Sequence, residues 1–348
     1  MKKCKVSLIA GIFSLLILSF SMVGTVSAQV EFNLADKITE ALNYYIEAEF
    51  EKSTEIVDKL IVRNDLSAKD SVAIYEVMSI ISYAKGQEYR RKSFDYLDKI
   101  SDIGPCVINF PRDLWPSELR DRWYKIAQAK NMLVCPEEKS HEIKTIAIME
   151  FDNHSIGKFQ EELGSLSKGL ADFFEYDFSQ ASGLKVVERD KIDFVLKELE
   201  LQASGKVDES TAAQVGKILG AQLMVFGSIT QLNNKETRMI VRVVKVETSE
   251  IIASVSKEGK PDYIMMEKEL VSELAEKLNL MISDDAKEKI KAAGPENMDA
   301  AKLYASGLDF MDKYDYEKAY EYFKMAYEKD NTFAEAKRKM EIYKPLIG

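Results

Sequence analysis

The stretch from Gly183 to Thr230, GLKVVERDKIDFVLKELELQASGKVDESTAAQVGKILGAQLMVFGSIT, leaves the chain little choice of fold. Leu184–Val187 is a short apolar run of the kind a buried strand shows. Lys191–Ala203 and Glu209–Leu219 carry apolar residues at helical spacing, and Gly220 ends the second helix. Gln222–Thr230 is again a strand. Strand, helix, helix and strand with so little slack between them commit this region to an α/β layer, and the rest of the chain attaches to it.

The flanking sequence completes a domain over residues 140–283. Upstream, Ile143–Phe151 alternates and then runs apolar, as a buried strand does. Gln160–Ser182 is helical, with Leu163, Leu166, Leu170, Phe173, Phe174 and Phe178 on one side. Downstream, the turn Asn233-Asn234-Lys235 and the pair Thr248-Ser249 separate two more strands, Thr237–Glu247 and Glu250–Glu258. That predicts a three-stranded antiparallel meander, closed by a helix over Pro261–Ile282. The sheet is expected to be mixed and mostly antiparallel at its C-terminal end.

VVERDKIDFVLKELELQASG, TAAQVGKILGAQLMVFGSIT and VRVVKVETSEIIAS, with the opening IAIMEFDN and the helix LSKGLADFF, resemble the curli-secretion-channel (CsgG) family. The resemblance covers about 140 residues. It is carried by Val187-Glu188-Arg189 leading into an amphipathic helix, by Gly216 and Gly220-Ala221 at the helix exit, and by Gly227-Ser228-Ile229 on the third strand. It implies a periplasmic α/β domain that assembles or docks at the outer membrane, with a ring-shaped homo-oligomer as the family analogy. The channel members insert two membrane hairpins, each built of two strands of about 9–11 residues. Here only Gln231–Met239 follows the Gly227-Ser228-Ile229 strand, and only Gly259-Lys260-Pro261-Asp262 precedes the last helix. Neither place holds a hairpin, and an acylated cysteine is missing, so the chain resembles the short, poreless members. Glu188 and Arg189 are expected to form a structural ion pair or helix cap rather than a functional pair.

Residues 29–139 read as all helix, with a weak repeat. Ala41, Tyr44, Ser53, Val57 and Leu60 recur forty residues on as Ile81, Ala84, Ser93, Leu97 and Ile100. Paired helices of this kind stack with small residues at their crossings, in the manner of degenerate tetratricopeptide (TPR) repeats; a generic helical bundle is the plainer alternative. Residues 284–297, with Gly294-Pro295, read as a linker. Residues 298–348 hold a better TPR match: Leu303, Gly307, Phe310, Ala319, Phe323 and Ala326 have the required order, and Ala334–Tyr343 is the capping helix. The pattern puts Tyr304, Leu308, Met311 and Asp312 on the concave face, the candidate partner-binding surface. One repeat is below the ~3 needed for independent stability, so it is expected to dock on another domain or subunit. The expected fold class is an α/β domain of CsgG type flanked by all-α, TPR-like segments.

The N-terminus reads as a signal peptide over residues 1–28. Lys2, Lys3 and Lys5 precede an uncharged apolar run, Val6–Val23, and Val26-Ser27-Ala28 suits cleavage before Gln29. An uncleaved anchor is the alternative. Export to an outer-membrane-bounded periplasm puts Cys106 and Cys135 in an oxidising space, where a bridge closing about 30 residues contributes roughly 3–4 kcal/mol in the chain-entropy model. Two free thiols are the other reading. The net charge of −10 argues against nucleic acid or anionic lipid as partner.

No pattern for a cofactor, metal or catalytic residue emerges. Ser165 and Lys168 formally match an SxxK motif, but no SDN or KTG follows. Asn153 and His154, in the loop after the first strand, form a candidate ligand site, although a solvated loop is the simpler reading. The sequence therefore points to a non-enzymatic assembly or scaffold component that binds envelope proteins through its helices. A small-ligand or peptidoglycan-binding sensor is the runner-up.

Overall fold

The computed structural model describes residues 27–104, 106, 114–135, 144–181, 184–199 and 209–347. The expected leader lies outside these residues except for Ser27 and Ala28, which open the first helix. The domain boundary near residues 139 and 140 also lies outside them.

The N-terminal arm is helical: α1 (Ser27–Ile46), α2 (Phe50–Ile61), α3 (Ala68–Ala84), α4 (Arg90–Ile103) and α5 (Ser117–Ala129). The repeat residues Ala41, Ser53, Val57 and Leu60 are buried, as are Ile81, Ser93, Leu97 and Ile100. The small positions have the predicted use, since Ser53 Oγ donates to the Ala41 carbonyl at 2.6 Å where α1 crosses α2. Helix α3 opens with a capping box between Ser67 and Asp70. Cys106, just past α4, is bridged to Cys135, just past α5, with Cα atoms 5.6 Å apart.

The α/β domain comprises β1 (Lys144–Ile148), β2 (Asp152–Asn153), α6 (Lys158–Glu162), α7 (Gly164–Ser179), β3 (Leu184–Val186), α8 (Arg189–Glu198), α9 (Glu209–Leu219), β4 (Leu223–Gln231), β5 (Thr237–Lys245), β6 (Glu250–Gly259) and α10 (Tyr263–Lys277). The sheet order is β3-β1-β4-β5-β6, with β2 paired to β4 further along. Pairs among β1, β3 and β4 are parallel, while β4-β5-β6 is the expected antiparallel meander. The strand predicted over Ile143–Phe151 is broken between β1 and β2, where Phe151 turns inward. A Cβ on Gly227 would lie 2.3 Å from that ring, so glycine is what lets Phe151 cross β4 and meet Phe174 at 5.0 Å between centroids. Glycine also suits residue 220, which ends α9 at φ +71° with Val134 packed over it.

The stretch expected as a linker contains a helix, α11 (Asp284–Ala292). Ser283 caps it by accepting from the Ala286 N–H, with Asp284 and Asp285 in its first turn and Lys289 and Lys291 in its last. That signal was present in the sequence and was masked by the nearby Gly294-Pro295. The C-terminal arm follows as α12 (Met298–Asp312), α13 (Tyr316–Lys329) and α14 (Ala334–Tyr343), ending in a 3-10 turn, Lys344–Leu346, that touches α1. The two arms thus meet each other as well as the central domain.

Between α7 and α10 the domain buries an unusual trio. Asp177 and Glu267 are inaccessible, with one ammonium, Lys268 Nζ, 2.6 Å from Asp177 and 3.4 Å from Glu267. Burial pushes the Asp177 carboxyl up to about 6 against the pull of Lys268. Burial, and then the charge of Asp177, holds Glu267 well above the usual carboxylate range. Glu335 of α14 adds a further raising charge at Asp177. Carboxyls raised in the folded state favour folding most in acid and lose that contribution as pH rises through the folded pKa. The expected result is that denaturant midpoints fall between pH 5 and pH 8, and that Glu267→Gln flattens this slope by raising the midpoint chiefly at pH 8. An unaltered slope in that variant would rule out this trio as its source.

Candidate functional site

Of the residues that carry the family resemblance, Glu188 and Arg189 lie where the three parts of the chain meet. Glu188 is the N-cap residue of α8, and Arg189 and Asp190 begin its first turn. Glu188, at the N-cap position, and Arg189, in a buried ion pair, both have structural partners, and the two side chains turn to different arms. Tyr124 of α5 donates its hydroxyl to Glu188 Oε2 at 3.0 Å. Arg189, 5% exposed, makes a two-pronged bond to Asp312 at the end of α12, at 2.9 and 2.8 Å. Its guanidinium also meets Asp193 at 3.1 Å and Asp190 at 3.3 Å. Arg120 of α5 ion-pairs with Asp190 and donates Nε–H to the Trp115 carbonyl at 2.9 Å.

The electrostatics follow from removing these charges from water. Burial alone would raise the Asp312 carboxyl, but Arg189 and then Lys168 outweigh it and hold it well below the usual range. Asp190 is likewise lowered, with burial opposed by Arg120 and Arg189. Asp193 goes the other way: burial dominates and pushes it up to about 7, despite Arg189. Oxygens of Asp190, Asp193 and Asp312 lie close enough together to suggest a cation site. The cation they serve is already there, since the Arg189 guanidinium bonds all three.

The concave-face residues are buried rather than presented. Tyr304, Leu308 and Met311 are at most 1% exposed, and α7 of the central domain packs against α12. Gly169 permits that approach, since a Cβ there would be 3.0 Å from Ala305 Cβ. Tyr304 stacks on Phe173 at 5.8 Å and donates its hydroxyl to Asp172 at 2.8 Å. Asp312 holds Arg189, and Lys168 reaches Asp309 and Asp312 at 2.9 and 2.7 Å. Tyr304, Leu308 and Met311, expected on a partner-binding face, thus lie inside the chain. Ser165, the other residue of the formal SxxK match, donates to Asp309 at 2.7 Å, so both residues of that motif serve docking.

The Asn153–His154 loop is not brought to this junction. The Asn153 side chain closes a local turn, donating to the Gln160 carbonyl at 3.0 Å and accepting from the Ser155 N–H at 3.0 Å. His154 is exposed, with its backbone N–H on the Ile229 carbonyl. Ser228 sits in β4 between Asp152 of β2 and Ile240 of β5. Outward surfaces remain on both arms. One groove, between α1 and α2, is lined by Leu34, Ile56 and Leu60 with Lys37, Lys52 and Arg63 among its rim residues. A second, between α12 and α13, is lined by Leu303, Ser306 and Met325 with Asp299, Lys302 and Lys329.

Residues 127–241 match the family described as curli production assembly/transport component CsgG. That match falls on the α/β domain, which is similar to the CsgG family over this span. The match runs from within α5 to Val241 of β5, about a third of the chain. In this domain β4 and β5 are joined by residues 232–236, and β6 and α10 by residues 260–262. Both connections are shorter than a single spanning strand of about 9–11 residues. Among the described residues, no helix is long and apolar enough to cross a membrane.

Among solved structures, the chain is similar to the LpoB C-terminal domain from Salmonella enterica, at 18% identity over 37% of this chain and 90% of that one, TM-score 0.26. It is also similar to lipoprotein GNA1162 from Neisseria meningitidis, at 13% identity over 39% and 98%, TM-score 0.28. A third is TolB from Acinetobacter baumannii, at 14% identity over 39% and 28%, TM-score 0.27. At these TM-scores the likenesses carry no functional argument. No curated protein matches the chain.

Truncating one partner of a buried, two-pronged charge pair leaves the other charge stranded, whereas a half-exposed pair at the rim contributes little. Asp312→Ala is therefore expected to cost about 3–5 kcal/mol in urea unfolding, and Asp309→Ala, on the rim beside it, at most about 1 kcal/mol. Equal costs for the two variants would contradict the assignment of Asp312 as the central partner.

Proposed function

We propose that this protein is a non-enzymatic assembly or scaffold component of the cell envelope, with a CsgG-family domain at its centre and protein partners on its TPR-like arms. The observation that carries this reading is the division of surfaces on the arms. Their inner faces are used up in holding the CsgG-family domain, while the grooves between α1 and α2 and between α12 and α13 face outward. Each groove has an apolar floor and a charged rim, the composition that accepts an amphipathic helix. Export to the periplasm rests on the N-terminal sequence, and self-association in a ring rests on family analogy. The short β4–β5 and β6–α10 connections favour a peripheral position over a pore of its own. The small-ligand or peptidoglycan-sensor reading has less support, because Asn153 is engaged in its own turn.

The reading is tested in cells with a photo-crosslinking residue placed singly at Ile56, at Met325 or at the buried Tyr304. Fractionation should put the tagged chain with the envelope. The two groove positions should each trap discrete protein adducts, and position 304 should trap none. A chain recovered only from the cytoplasm, or adducts independent of the position probed, would overturn it.

A further inference from the structure

Helix α5 is the piece of the N-terminal arm that reaches both other parts of the molecule. From it, the Glu118 N–H donates to the Tyr316 hydroxyl of α13 at 3.2 Å. Glu118 Oε2 accepts from Tyr83 of α3 at 2.5 Å. Arg120 pairs with Asp190, Tyr124 donates to Glu188, and Asp121 accepts from the Tyr314 hydroxyl. Its outer side packs on α8, with the Tyr124 and Phe194 rings 5.6 Å apart.

The same helix lies inside the loop closed by the Cys106–Cys135 bridge, whose ends are 29 residues apart in sequence. The closure point is itself tied to two parts of the fold. Lys130, past the end of α5, reaches Ser101 Oγ at 2.8 Å and Asp102 at 2.9 Å near the end of α4. Val134, next to Cys135, fills the space over Gly220 at the exit of α9. Both cysteines are partly exposed, so a small reductant can reach the bridge.

We infer that the Cys106–Cys135 disulfide is a redox lock on the three-way junction. Oxidised, it holds α5 where its polar side chains join both arms to the CsgG-family domain. Reduced, it frees α5, and the junction opens. In the reduction a dithiol supplies two electrons and two protons, the S–S bond breaks, two cysteine thiols form and the dithiol leaves as a cyclic disulfide. Freeing a chain closed at 29 residues restores many conformations to that loop and raises the chance that α5 is away from the junction. Once α5 leaves, Asp190 loses Arg120 and Glu188 loses Tyr124, so the cost of opening is concentrated at the start of α8. The biological consequence rests on the export reading: the junction closes only after the chain reaches an oxidising compartment.

Hydrogen exchange of the full chain, oxidised and after dithiothreitol, tests this. Peptides from α5, from the first turn of α8 and from the first turn of α13 should exchange at least tenfold faster on reduction, with α2 and β4–β6 unchanged. The double variant Cys106→Ser, Cys135→Ser should show the faster pattern with and without reductant. Reoxidation of the wild-type chain should restore the slow pattern even if that variant folds poorly. A uniform change across the fold would make the bridge a general stabiliser, and a change confined to residues 106–135 would make it a local one; either result overturns the lock. The readout needs no envelope partner, so its failure leaves the envelope reading intact.

Discussion

A guanidinium almost wholly removed from water has to be paired, and the pairing of Arg189 sets much of this architecture. Desolvating that charge is costly unless carboxylates surround it with good geometry. Its own helix supplies Asp190 and Asp193, one residue and one turn away. The two-pronged partner, Asp312, is 123 residues distant in sequence. Arg189 is satisfied, then, only when the last turn of α12 lies against the first turn of α8. Asp190 in turn holds Arg120 of α5, so one short motif at a strand-to-helix junction draws in both arms. Burial is the main reason that Asp193 is raised, with Asp312, Glu150 and Asp190 adding to it, while Asp190 and Asp312 are lowered by the cations they face.

Polar pairing fixes which elements meet, and small residues let them come close enough. Gly169 against Ala305 brings α7 onto α12, Gly227 admits Phe151 across the sheet, and Gly307 admits Phe323 between α12 and α13. At Gly227 and Gly307 a methyl group would overlap a neighbour, and at Gly169 it would be tight against Ala305. Such close approaches exclude water from the charges beside them: Lys168 and Asp172 flank the Gly169 crossing within one turn, and both bond to α12. Packing and electrostatics act here on the same helix pair. That is why Tyr304, Leu308 and Met311 form an internal seam and not a surface for another protein.

Local pattern made the elements legible. The meander strands and helix α9 could be placed within a residue or two because their periodicity and turn residues are contained in short windows. Helix α11 was missed because Gly294-Pro295 drew attention from the Ser283 cap. The break after β1 was missed because an apolar run does not reveal that Phe151 leaves the strand to use the space at Gly227. What lay beyond reach was pairing across distance. Nothing near Asp312 announces Arg189, and nothing in Tyr304 says that α7 will cover it. Periodicity identifies a face that needs covering; the occupant depends on the whole fold. The motif Val187-Glu188-Arg189 points to a structural ion pair or cap at a strand end, and nothing in it tells that its two charges reach separate arms.

The rigidity of this junction bears on how an assembly protein of this build can work. Repeat arms on flexible linkers raise the local concentration of their partners without orienting them. Here the arms are bonded to the central domain through buried charges and to each other where the Tyr316 hydroxyl of α13 meets Tyr83 of α3 and accepts from the Glu118 N–H of α5. The two outward grooves therefore stand at a fixed angle to the sheet. A helix seated in either groove would meet a surface whose orientation to the sheet is already set, with the ordering cost met during folding. The contact whose loss would disorder both arms together is the short helix α5 with the residues at the start of α8 that receive it.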